Sequence, residues 1–299
     1  MSSEVSSGGV GGISHPKRLR TVFCTRGGLF GASVLERLQA CERIEICGVV
    51  RSSRVFHPSL GTIRGSLALI RRSGLAYALY MLCATTLADL LCIFGRVGGV
   101  PFRTRPRGVR VHTTANVNDA AGLRFLRECT PDLIVSAFFD QRLHEAALSV
   151  PRRACVNIHP SLLPALKGVD PMLQARLQNV YPVGATVHYM VPTLDAGHII
   201  VQRAADVPEG ASVFEGTAIL YASGAELLVG EIGRIERGES GVAQSTPGSY
   251  QSWPTRAEVR SLRALRSVLI RLTDFGRVLA WRPSGRLASH TGAGESHRS

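Results

Sequence analysis

Residues 155–202 read CVNIHPSLLPALKGVDPMLQARLQNVYPVGATVHYMVPTLDAGHIIVQ, and this stretch decides the fold. Over 156–159 apolar and polar residues alternate, so a strand end delivers Asn157 and His159 onto one face. Pro160 and Pro164 bracket Ser161, Leu162 and Leu163, and neither a helix nor a sheet ladder continues through them. A second strand-like run at 183–190 ends at Pro192, and Asp195 follows in a short turn closed by Gly197. An amide, an imidazole and a carboxylate therefore stand where strands give way to loops. Open α/β sheets bind ligands in such places.

The surroundings extend the same pattern. Residues 133–138 are almost continuously apolar, as a central parallel strand buried on both faces requires. Further strands are expected at 19–24, 44–50 and 109–112. Helices are expected after Gly31, with Ala32, Leu35 and Leu38 at helical spacing, and at 119–129, with Asp119 as cap. Asp170 and Pro171 open another helix as N-cap and first-turn proline. Residues 212–237 read as an amphipathic helix. The glycines at 27, 28 and 31 lack the full G-x-G-x-x-G spacing, and Arg51 stands where a dinucleotide site places an acid. A nicotinamide cofactor is not expected.

The run N-I-H-P-S-L-L-P-x-x-x-G, followed by L-D-A-G-H-I-I, resembles the signature of the folate-dependent formyltransferases. That family includes methionyl-tRNA formyltransferase, sugar N-formyltransferases and glycinamide ribonucleotide transformylase. The resemblance spans roughly 19–202 and implies an α/β, Rossmann-like formyltransferase fold: a mostly parallel twisted sheet flanked by helices, with a helical insertion and a short C-terminal extension. It implies an enzyme that carries its chemistry on Asn157, His159 and Asp195. It further implies that 10-formyltetrahydrofolate is the formyl donor, with the pterin held by Phe138, Phe139, Asp140, Gln141, Arg142 and Leu143, and no metal. The G-x-G-S-N phosphate loop of the ribonucleotide enzyme is absent, which argues against a ribonucleotide held in that manner.

Formyl transfer to an amine passes through a tetrahedral oxyanion, which needs an aimed donor and a route for protons. Asn157 is the candidate donor, His159 the proton carrier, and Asp195 the group that orients His159 or a bridging water. His188, in mid-strand, reads as structural, and His198 as a residue lining the cleft. A hydrolase that deformylates the same donor, and a binding protein on the same fold, remain as alternatives.

Residues 54–105 interrupt the family pattern. They contain an apolar run at 74–94, near the ~20 residues that span a bilayer. Tyr77, Tyr80, Thr85, Thr86 and Asp89 suit lipid poorly, so a buried or partner-covered helix is expected before a membrane-surface contact or a span. As an insertion at a surface loop, the segment is expected to be removable without loss of the fold. After residue 202 the resemblance thins. Residues 250–254 resemble the segment that closes such catalytic domains. Arg256, Arg260, Arg263, Arg266 and Arg271 are expected on one helix with Leu262, Leu265, Leu269 and Leu272. The implied division is a disordered tail at 1–17, a catalytic domain at 18–205, a closing extension at 206–254, and a basic helix and tail at 255–299, disordered from Pro283.

Composition bounds the partners. The 299 residues carry 35 basic and 22 acidic side chains, a formal charge of +13 dominated by Arg. Such charge favours anionic partners unless it reflects a compositional bias. The seven cysteines show no C-x-x-C spacing and fit free thiols in a reducing cytoplasm. The residues after Trp253 look too few for a separate tRNA-binding barrel. A small amine, an amino sugar or natural-product intermediate, is therefore the expected acceptor ahead of tRNA.

Overall fold

The computed structural model describes residues 18–57, 59–87 and 108–280. The tails expected at 1–17 and from Pro283, and the 88–94 portion of the apolar run, lie outside the described residues.

The central strands are β1 (Leu19–Thr25), β2 (Ile44–Ser52), β4 (Leu133–Ala137) and β5 (Ala154–His159), with the largely exposed β3 (Arg110–Thr114) at the sheet's edge. They lie in the order β3-β2-β1-β4-β5 and are all parallel. Every residue of β4 is buried, as its sequence requires. A two-residue strand β6 (Lys167–Gly168) follows β5. The main sheet then continues through β7 (Gly184–Tyr189), antiparallel to β5, and β8 (Ile199–Ala204), antiparallel to β7. The order reverses at β1 and β4, and the crevice beyond their carboxyl ends is the place where this topology admits a ligand.

Helix α1 (Gly28–Ala40) packs beside the long helix that lies near the chain's end of the core. In the insertion, α2 (Thr62–Ser73) and α3 (Leu75–Leu82) are followed by a π-helical turn at Cys83–Leu87. Helix α4 (Ala120–Cys129) starts at Asp119, whose carboxylate accepts the Gly122 N–H at 2.7 Å. Short α5 (Glu145–Leu148) and α6 (Pro171–Gln178) precede α7 (Val213–Arg237), the long helix just mentioned. The Ser212 hydroxyl caps α7 by accepting the Glu215 N–H at 3.0 Å. Further along the chain, β9 (Tyr250–Gln251) pairs in parallel with β6.

Three local expectations are corrected. Asp170 does not cap α6 through its side chain. It adopts φ 50°, and its carboxylate accepts the Tyr77 hydroxyl at 3.1 Å instead. The basic segment is not one helix. Helix α8 (Arg256–Ala264) ends before Arg266, which has φ 52°, and α9 starts only at Leu272 (Leu272–Ala280). Between them the backbone carbonyls of Val268 and Leu269 accept N–H groups from Val213 and Phe214, at the start of α7. The amphipathic pattern was real, but the first two N–H groups of α7, which no intrahelical carbonyl reaches, take these two carbonyls as acceptors.

The third correction concerns the insertion. Tyr77, Tyr80, Met81 and Ala84 belong to the main core cluster, while Leu75, Leu79 and Leu82 on the other face are exposed. Helix α3 is thus a core wall rather than a removable loop. Among the described residues no helix is long and apolar enough to cross a membrane.

Candidate active site

The crevice at the sheet's switch point opens into a cavity of about 320 Å³, within the usual range for small-molecule sites. Asn157 and His159 leave the end of β5, and both line it with Asp195. The loop between β7 and β8 folds back so that Asp195, at φ 50°, returns to the end of β5. The Gly168 N–H holds Asp195 Oδ2 at 2.9 Å, which couples β6 to the carboxylate. Gly168 has φ 98°, and a Cβ there would come within 2.2 Å of the Gln251 carbonyl. Only glycine permits this junction.

The side chains form a directional set. His188 stands opposite Asn157 across the β5–β7 ladder, so both lie on one face of the sheet. His188 Nδ1–H donates to the Tyr189 carbonyl at 2.8 Å, which leaves Nε2 as an acceptor. The Asn157 amide nitrogen donates to that Nε2 at 3.2 Å. The amide orientation follows from this tautomer, and one Asn157 N–H stays free for the cavity. His159 Nε2–H donates to the Leu166 carbonyl at 3.0 Å. Its Nδ1 therefore faces Asp195 Oδ1, at 3.7 Å. His188 Nε2 lies 3.7 Å from the same oxygen. Both distances exceed a direct hydrogen bond, and a proton carrier sitting beside the three groups in the cavity could reach them together.

His188, which mid-strand placement alone marks as structural, lines the cavity. The signal was its position opposite Asn157 on the next strand, which becomes visible only once the pairing register is known. Burial pushes the His188 imidazole down to about 4; attraction to Asp195 opposes this and repulsion from His159 adds to it. His198, by contrast, is exposed and lines a neighbouring surface groove with Lys167 and Tyr250.

His188 makes stability depend on pH. Between its ordinary value of 6.5 and about 4, the unfolded chain binds a proton that the folded imidazole rejects. Stability is therefore lost as pH falls through this window. Asp170 acts in the opposite sense, because burial raises its carboxyl from 3.8 to about 6. The difference between wild type and His188→Asn isolates the imidazole. On going from about pH 7.5 to about pH 5, wild type should lose about 2 kcal/mol more than the variant, read by urea unfolding. Equal losses would show that His188 is protonated in the fold.

The loop 138–143 lies along the cavity and is firmly anchored. Phe138 has φ 50° and packs edge-on against Phe30, with ring centroids 5.0 Å apart. Gln141 is buried and engaged with the framework: Nε2 donates to Ser52 Oγ and the Thr114 carbonyl, both at 2.8 Å, and Oε1 accepts the Val117 N–H at 2.7 Å. Leu143 is a core residue, whereas Arg142 is exposed. The side chains of Phe138, Gln141 and Leu143 thus hold the loop, while Phe139, Asp140 and Arg142 also line the cavity. Both Asp140 carboxylate oxygens are buried without a hydrogen-bond partner among the described residues, and Arg26 Nη1 stands 3.7 Å away. Arg26 and Arg54 also line the cavity. The sequence contained no motif that singled them out.

The insertion closes the far side. Gly28 has φ 68°, and a Cβ there would come within 1.9 Å of the Ala84 carbonyl. The π-helical turn at 83–87 therefore lies against the start of α1 and occupies space where such a helix end could receive a phosphate.

Residues 105–228 match the family model described as formyl transferase. The chain is 32% identical over 126 residues to the methionyl-tRNA formyltransferase of Syntrophomonas wolfei, covering 42% of this chain and 40% of that protein. It is 38% identical over 122 residues to the methionyl-tRNA formyltransferase of Moorella thermoacetica, covering 41% and 39%. The matched region is about two fifths of the length of these curated relatives. A sugar N-formyltransferase from a Shewanella species shares the fold at a TM-score of 0.51 and 15% identity, over 87% of each chain. The match to the formyl transferase family model takes in Asn157, His159, His188 and Asp195.

Proposed function

We propose that this protein is an N-formyltransferase that moves the formyl group of 10-formyltetrahydrofolate to an amine. The observation that carries the reading is the convergence of Asn157, His159 and Asp195 in one cavity beside the 138–143 loop. The amine nitrogen attacks the formyl carbon, and the carbonyl oxygen gathers charge. The free N–H of Asn157 donates to that oxyanion, in an orientation fixed by neutral His188. Collapse breaks the bond from carbon to the folate nitrogen, which takes up the proton given up by the amine. His159 Nδ1, with a water or substrate group held against Asp195, provides the path. Asp140 is suited to the pterin, whose amino group and ring N–H would satisfy its unpartnered oxygens.

Incubation with 10-formyltetrahydrofolate, with and without a panel of primary amines, tests the reading through release of tetrahydrofolate. Release that needs an amine, together with a formylated product, is expected. Equal release without any amine would make the protein a hydrolase, and no release would remove the proposal.

We favour a small amine as acceptor, because the insertion narrows the cavity and covers the start of α1. The matches to methionyl-tRNA formyltransferases and the charge of +13 support tRNA as the second reading. Salt separates them. A tRNA held by about 6–10 phosphate contacts loses roughly 10³–10⁵ in affinity between about 50 and 200 mM salt. Transfer to a small amine should change only mildly over the same range. A steep loss of tRNA binding, removed by neutralising Arg256, Arg260 and Arg263 together, would establish the tRNA reading.

A further inference from the structure

Asp170 is a carboxylate of the cavity wall that the proposed transfer chemistry leaves without a role. It sits at φ 50° between β6 and α6 and lines the cavity that holds Asn157 and His159. Its Oδ2 accepts the Tyr77 hydroxyl at 3.1 Å, while Oδ1 is buried and makes no hydrogen bond among the described residues. The surroundings are phenolic. Tyr77 and Tyr80 come from the insertion helix α3 and Tyr221 from α7, and all three line the same cavity. Each phenol is pushed well above its ordinary value, by burial first and then by the negative charge of Asp170. Trp253 completes this side, 6.4 Å from Tyr77 between ring centroids.

Leaving a carboxylate oxygen buried without a donor costs free energy, and ordinary packing does not retain such a group without compensation. Nor does a salt bridge account for it, since no ion pair to Asp170 occurs among the described residues. The backbone is also held in a strained region at this point, as at Phe138 and Asp195 around the same cavity. A small polar ligand with a donor group would satisfy Oδ1, and the phenol and indole rings would cover its apolar edges.

Building on the transferase reading, we propose that Asp170 is a specificity-determining residue that recognises the acceptor. The acceptor is then a small amine with a second hydrogen-bond donor, a hydroxyl or another amino group, which bonds Asp170 Oδ1 while the reactive amine faces Asn157 and His159. Because the wall is built from Tyr77 and Tyr80, the insertion supplies the acceptor side of the site. The carboxylate is a partner for a donor and repels phosphate, in keeping with the covered start of α1.

Binding without turnover tests this separately from the transfer reaction. The protein has two tryptophans, so Trp281→Phe leaves Trp253 as the sole indole reporter in the cavity wall. This variant, saturated with 5-formyltetrahydrofolate as a non-transferring stand-in for the donor, is titrated with glucosamine, ethanolamine and ethylamine. Glucosamine and ethanolamine should each bind about tenfold or more tighter than ethylamine, the gain expected for a hydrogen bond to a charged group. Asp170→Asn should reduce that preference to about twofold or less, with the affinity for 5-formyltetrahydrofolate unchanged as evidence of an intact fold. Tyr77→Phe keeps the ring and the carboxylate and should retain the preference. The proposal is overturned if no amine perturbs Trp253, or if Asp170→Asn discriminates as wild type does. Loss of the binding of 5-formyltetrahydrofolate to wild type would instead count against the transferase reading.

Discussion

Replacing Asn157 with Ala should lower the rate of formyl transfer by about 10²–10³, the usual cost of one oxyanion donor. The loss belongs in the chemical step, because Asn157 is assigned to the developing charge and not to the ground state. His159→Ala should cost about 10²–10⁴, since it removes the proton path through Nδ1. Both variants should bind 5-formyltetrahydrofolate with near wild-type affinity, because the 138–143 loop is held by Gln141 through Ser52, Thr114 and Val117. Single-turnover transfer and donor titration measure the two quantities separately. A variant at either position with near wild-type turnover would overturn the assignment. A loss confined to donor affinity would make these residues part of the binding site alone.

Deleting residues 54–105 should abolish cooperative folding. Tyr77, Tyr80, Met81 and Ala84 are buried in the main cluster, against the framework that carries α1 and α7. The deletion takes Leu69 from the same cluster as well and leaves Asp170 without its hydroxyl donor. The milder Tyr77→Ala should cost about 3–5 kcal/mol from the cavity alone, a large part of a typical 5–15 kcal/mol margin. Urea unfolding of Tyr77→Ala and circular dichroism of the truncated chain measure these losses. A truncated protein with a single sharp transition would show that the sheet is stable without α3.

The central strand β4 was legible because it is a short apolar run bounded by polar residues, a pattern that needs no partner to be read. The start of α4 was equally local: Asp119 caps where its sequence says, because a cap involves only the next three residues. Asn157, His159 and Asp195 were identifiable through a motif whose parts sit in one continuous stretch. Matters that depend on distant segments were not legible in this way. Asp170 has the sequence of an N-cap, and only the arrival of Tyr77, 93 residues upstream, diverts its side chain. His188 looks like any strand histidine until the β5–β7 register sets it against Asn157. The basic segment after Thr255 has an amphipathic period through Leu269, yet α7's first turn needs acceptors and draws Val268 and Leu269 out of helix. The apolar run of the insertion states that something must cover it. Whether membrane, partner or core does so was decided by packing, in favour of the core for Tyr77, Tyr80, Met81 and Ala84. Period, caps and motif are properties of neighbours along the chain, and the sequence by itself determined those. Register, the fate of unpaired carboxylates and the cover of an apolar face are properties of neighbours in space, and the tertiary structure alone decided them.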